Sequence, residues 1–156
     1  MRTLFSLLWS CLWAGAVAAC PNESLAPAAA YRVEVTQLLS GATLDVLAGG
    51  PHRSSNCPGL FPSENVAPGH YAAPADFLFE VVGLEGHRLM LEVSGGCDTM
   101  LMVSANGHRF YDDDDAGDLQ PQITLTRPRS GLYHVWVGTY EPDTCDAMLT
   151  IRAVPQ

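Results

Sequence analysis

From Phe77 to Ala153 the chain is divided into short apolar runs by turn residues at close intervals, and this rhythm constrains the fold more than any other feature. The runs are "FLFEVV" (77–82), "RLMLEV" (88–93), "TMLMV" (99–103), "QITLT" (122–126), "LYHVWVG" (132–138) and "AMLTIRA" (147–153). Between them fall Glu85-Gly86, Gly95-Gly96, Asn106-Gly107, Ser130-Gly131 and Pro142-Asp143, residue pairs that reverse a chain at little steric cost. Upstream, "YRVEV" (31–35) sets Tyr31, Val33 and Val35 against Arg32 and Glu34 with a period of two. Proline and glycine recur too often for a sustained helical period, and Pro27 denies the alanine-rich "LAPAAAY" (25–31) a stable helix. Many short strands at regular spacing predict an all-β fold, a single-domain antiparallel β-sandwich of jelly-roll-like form. Asn106-Gly107 predicts a tight hairpin, because both residues accept positive φ. "TMLMV" is apolar at every position but its first, which predicts a central strand covered on both faces.

The N-terminus is read separately. "MRTLFSLLWSCLWAGAVAAC" offers one basic residue, an apolar run from Leu4 to Val17, and small residues at its end. That layout predicts a secretory signal peptide over residues 1–19, since the run is short of the roughly 20 apolar residues a membrane span needs. Val17-Ala18-Ala19-Cys20 also resembles a lipobox, so a lipoprotein anchored through Cys20 is the alternative. Cysteine parity favours the soluble product: beyond the leader stand Cys20, Cys57, Cys97 and Cys145, an even set in an oxidising compartment. Four cysteines admit three connectivities, and the pairing expected is Cys97 with Cys145 and Cys20 with Cys57. The expected location is periplasmic or extracellular. The roughly 137 residues left suffice for one core and not for two domains. Residues 20–75 are expected to be an N-terminal extension with edge strands and a Pro/Gly-rich loop, and from Leu39 to Pro74 only "ATLDVL" (42–47) reads as strand. Residues 76–156 are expected to be the sandwich core.

Seventeen acidic residues face eight arginines and no lysine, a formal net charge of −9. Nucleic acid and anionic membranes need a basic surface, so neither is an expected partner. Catalytic motifs are missing: no G-x-S-x-G and no H-E-x-x-H occurs. Ser94-Gly95-Gly96 is similar to a serine-peptidase nucleophile segment, but Glu92-Val93 precede it and the five histidines are scattered. No catalytic residue is expected. Trp136 and Tyr140 are a candidate ligand platform, set against the commoner role of such aromatics as core. The partner expected is a protein or polysaccharide.

Asp76-Phe77, "SGGCDTMLMV", "YDDDDAGD", "SGLYHVWVGTY" and "AMLTI" follow one another in an order that resembles the pre-peptidase C-terminal domain family, small β-sandwich modules commonly appended to secreted bacterial peptidases. Asp98, Leu101, Asp112 to Asp115, Gly131, Tyr133, Val135 and Val137 match its pattern residue by residue, over about half the chain. The resemblance implies a non-catalytic accessory module, with a peptidase-associated role as the alternative. Some members of the wider family bind calcium through acidic loops. The candidate ligands here are Asp98, Asp112, Asp113, Asp114, Asp115 and Asp118, whose hard oxygens and surplus charge suit Ca²⁺. Along an extended chain Asp112 and Asp114 would face one way, Asp113 and Asp115 the other. One ion therefore requires a bend within the run, which Ala116-Gly117 permits. The competing expectation is a solvated turn.

Overall fold

The computed structural model describes residues 20–60, 69–114 and 119–156. The expected leader, residues 1–19, lies outside them. Eleven strands form: β1 (Ala29–Glu34), β2 (Ala42–Ala48), β3 (His52–Arg53), β4 (His70–Tyr71), β5 (Phe77–Val82), β6 (His87–Gly95), β7 (Thr99–Ala105), β8 (His108–Asp112), β9 (Gln122–Leu125), β10 (Gly131–Thr139) and β11 (Cys145–Pro155). One helical turn, α1 (Val35–Leu38), follows β1, so the strand read as 31–35 ends at Glu34.

The strands assemble into two packed sheets. In the larger, β10 is central, flanked by β7 and then β8 on one side and by β5 and then β1 on the other, with the short β4 and β3 extending from its far end. The smaller runs β2-β11-β6-β9. All pairings are antiparallel except β1 with β5, which is parallel because the chain returns through the opposite sheet before β5 begins. The expected sandwich is observed as a single domain. Residues 20–75 are more than an extension: they supply β1, β3 and β4 to one sheet and β2 to the other.

Period-two patterning builds the main core. Phe77, Phe79 and Val81 of β5, Leu101 and Val103 of β7, and Tyr133, Val135 and Val137 of β10 face Leu89, Leu91 and Val93 of β6 and Leu149 and Ile151 of β11. The hairpin at Asn106-Gly107 forms as expected, with φ of 53° and 76°.

A second cluster explains "TMLMV". On the outer face of the larger sheet, Met100 and Met102 of β7 and Trp136 of β10 are buried beneath Tyr71, Ala75, Leu60 and Cys57. The cover is drawn from the N-terminal half and is fastened by the Cys20–Cys57 disulfide. Tyr71 lies on Gly138 of β10, where an added Cβ would come within 2.5 Å of the tyrosine ring. The second disulfide, Cys97–Cys145, joins the β6–β7 crossover to the start of β11. Both match the expected pairing.

Candidate functional site

Two surfaces come forward, an acidic rim and an open sheet face. The rim lies where crossovers meet at one end of the sandwich. Asp98 precedes β7, Asp113 and Asp114 follow β8, and Glu141 follows β10. The loops are held by backbone contacts: Tyr140 N–H donates to the Asp98 carbonyl (3.1 Å), and Thr99 N–H to that of Leu119 (3.3 Å). Gln120 braces the crossover, its Oε1 accepting from Gly95 N–H (2.9 Å) and Thr99 Oγ1 (3.1 Å), its Nε2 donating to the Cys97 carbonyl (3.1 Å).

Strand β8 ends at Asp112, so the alternation expected along the run, Asp112 with Asp114 against Asp113, does not continue past it. Asp112 turns inward, almost fully buried, and its Oδ2 accepts the Gln122 N–H at 2.7 Å. That bond ties the end of β8 to the start of β9. Asp113 and Asp114 stay at the rim, with Asp98. Partial burial, then the charges of Asp113, Asp114 and Glu141, push the Asp98 carboxyl upward. Burial and Asp113 push the Tyr111 hydroxyl up as well. Behind them Tyr71 is wholly buried, and its hydroxyl has no hydrogen-bond partner among the described residues. Among those residues no group of three or more histidine, cysteine, aspartate or glutamate side chains is placed to hold a metal ion. Asp115 and Asp118 lie outside them; Asp98, Asp113 and Asp114 share the rim and feel one another's charge without forming such a group.

The second surface is the outer face of the smaller sheet. The register sets Leu47 opposite Asp146 and Asp45 opposite Met148, with Ser94 of β6 on the far side of Met148. These side chains form a checkerboard of apolar and acidic groups around a shallow concavity of about 810 Å³, bordered by Gly95 and Gly96. Leu47 is 59% exposed and Met148 46%. Ser94 stands there among carboxylates, and no histidine is among the described residues of the lining. Sequence reading passed over this patch. Its signal is a break of phase: Leu47 and Met148 are apolar residues in the polar register of their strands, beside Thr43, Asp45, Asp146 and Thr150.

The larger sheet offers no equivalent platform. Trp136 is 1% exposed and stacks on His134 with centroids 6.1 Å apart, so its indole is core; Tyr140 alone of that candidate pair is exposed. Beside His134, Ser104 Oγ donates to Glu23 Oε1 (2.6 Å), and Arg109 Nη2 reaches the same oxygen at 3.3 Å. The Ser104 hydrogen bond, Arg109 and His134 hold the Glu23 carboxyl below its ordinary value against a smaller opposing effect of burial. This network fastens the N-terminal segment to the sheet.

Asp76, the aspartate of the Asp-aromatic step, closes the β5–β10 ladder. Its N–H donates to the Val135 carbonyl (2.9 Å), and its Oδ2 accepts the Val137 N–H at 2.7 Å. Burial raises its carboxyl to about 7, against the opposing pull of the Val137 N–H and of its own N–H.

No protein-family model matches the sequence, and no curated protein matches it. Among solved structures, the chain is similar to the pre-peptidase C-terminal domain of a collagenase from Bacillus anthracis, at 12% identity and a TM-score of 0.46, over 79% of this chain and 94% of that one. It is also similar to PliG of Aeromonas hydrophila, a periplasmic inhibitor of g-type lysozyme, at 15% identity and a TM-score of 0.45, over 81% of this chain and 98% of that one. Both are likenesses of sandwich architecture, and no residue role is carried over from either.

Proposed function

We propose that the protein is an exported, non-catalytic binding module that docks a protein partner on the outer face of its smaller sheet. The observation that supports this is the unequal treatment of the two outer faces. The larger sheet is roofed by its own chain over Met100, Met102 and Trp136, while the smaller is left open with Leu47 and Met148 at its surface. Contiguous exposed apolar groups rimmed by polar ones mark interaction surfaces. Asp45 and Asp146 alternate with the apolar pair, so the complementary surface is apolar with a basic rim. A protein suits this better than a polysaccharide, because no aromatic side chain lines the concavity. Two disulfides fit a chain that folds in an oxidising compartment, and no described helix is long and apolar enough to cross a membrane.

The test is capture from periplasm and culture medium by the wild-type protein and by a Leu47→Asp/Met148→Asp variant. A partner held by the first and released by the second supports the reading. Retention by both, or by neither, refutes it.

The acidic rim is, in the same proposal, a calcium-stabilised turn, with Asp115 or Asp118 completing what Asp98, Asp113 and Asp114 begin. The mutual repulsion that raises the Asp98 carboxyl is what a divalent cation would relieve. Calcium at a thousand times its dissociation constant should add roughly 4 kcal/mol over a chelated sample. An unchanged melting midpoint would leave the rim a solvated turn.

A further inference from the structure

The two sheets each end in an edge strand on the same flank of the sandwich, and in the gap between those edges this acidic molecule gathers cations around an apolar floor. Among the described pairings β8 bonds only to β7 and β9 only to β6. The Asp112–Gln122 hydrogen bond pins the two edges together at one end. From there they diverge into a wedge of about 410 Å³, floored by Phe110, Leu125 and Tyr133 and rimmed by His108, Arg127 and Arg129. No aspartate or glutamate is among the described residues that line it. Among the described residues the ion pairs are Arg32–Glu80 and Arg109–Glu23, so Arg127 and Arg129 stand exposed without a carboxylate.

The rim is also held in place. Pro128 between the arginines fixes its own φ. Tyr133 Oη donates to the Arg129 carbonyl at 2.5 Å, and Gln156 Nε2 donates to the Thr126 carbonyl. A rigid loop that presents two guanidinium groups loses little entropy when it meets an anion. The whole chain's net charge of −9 would repel an anionic ligand, which makes a positive wedge conspicuous as a site.

We propose that this wedge binds an extended acidic peptide segment of a partner protein. The peptide lies along the free edge of β8 or β9, its apolar side chain seats between Phe110 and Leu125, and its carboxylates meet Arg127 and Arg129. Unpaired strand edges supply backbone hydrogen bonds to such a segment, and the arginines select its charge. The site is separate from the Leu47–Met148 face and can fail or succeed independently of it.

The probe is a labelled, end-capped Glu-Leu-Glu-Leu-Glu peptide titrated by fluorescence anisotropy into the full disulfide-bonded chain, with Gln-Leu-Gln-Leu-Gln as its neutral counterpart. The acidic peptide should bind at least about tenfold more tightly than the neutral one, and added salt should weaken it. Arg127→Gln/Arg129→Gln should weaken it by a similar factor with an unchanged melting midpoint, while Arg152→Gln on β11 and the Leu47→Asp/Met148→Asp variant leave it unchanged. Equal affinity for both peptides, no binding of the acidic one at millimolar concentration, or indifference to the double arginine substitution would overturn the proposal. A concentration-dependent oligomer in sedimentation that the arginine substitutions dissolve would overturn it too, since the occupant would then be the acidic run of a second copy.

Discussion

Replacing Asp76 by asparagine separates the two forces that act on the buried end of the β5–β10 ladder. The side chain accepts the Val137 N–H at 2.7 Å, a contact that either a neutral or an ionised carboxyl can make. Burial raises its folded pKa to about 7 from a reference value of 3.8. Below that reference value both folded and unfolded chains hold the proton, and the group adds no pH dependence. Between the two values the unfolded chain has released the proton while the folded one keeps it, so folding stability falls as pH rises. Above the folded value both states are ionised and the loss is complete. A gap of about three units corresponds to about 4 kcal/mol as an upper figure. Asparagine keeps the oxygen that accepts from Val137 and carries no charge. The Asp76→Asn chain should therefore match the wild type near pH 4 and exceed its stability progressively to pH 8, approaching that figure. Urea unfolding across this range checks it, followed by the fluorescence of Trp136, which is the only tryptophan after residue 19 and is buried. Stability curves that stay parallel with pH would refute the reasoning. So would a variant that weakens above pH 4, because the carboxylate would then be ionised and held by its backbone donors.

Tyr71→Phe should stabilise the fold by about 1 kcal/mol, since it removes a buried hydroxyl without a partner; a loss of that size in thermal or urea unfolding would reveal a bond the geometry does not contain. Cys20→Ala/Cys57→Ala opens a loop with a sequence separation of 37 and should cost up to roughly 4 kcal/mol, with Trp136 emission shifted to the red as its cover loosens. An unshifted emission would mean that the outer cluster holds without its clasp. Gly138→Ala should cost about 1–3 kcal/mol by driving a methyl group into the Tyr71 ring and the His70 carbonyl, and Tyr71→Ala made in the same chain should absorb only the ring's part of that increment in a double-mutant cycle.

Much of the sandwich was legible because its longer strands obey local rules. Alternation marks β5, β6, β10 and β11, Asn106-Gly107 marks the hairpin, and the unbroken apolar run of β7 announced a strand covered on both faces. What covers β7 was not legible. Tyr71, Leu60 and Cys57 lie in a Pro/Gly-rich stretch with no period, and only the tertiary fold brings them over Met100 and Met102. The parallel union of β1 with β5 was hidden for a similar reason, as no local signal states which distant strand a free edge will meet. Within the acidic run Asp112 and Asp113 part company, but Asp114, which alternation would set beside Asp112, stays exposed with Asp113 because β8 has ended. The checkerboard around Leu47 and Met148 is visible only once register is known. One apolar residue out of phase is ordinary; two on adjacent strands at neighbouring register positions are a patch.

Because β7 and β10 turn oily side chains to both front and back, the molecule has a practical minimum size larger than its motif-bearing half. An excised fragment beginning at Asp76 would lack β1 and β2 and would present bare methionine and indole to water. Any fusion, truncation or crystallisation fragment that is meant to stay monodisperse has to begin no later than Cys20.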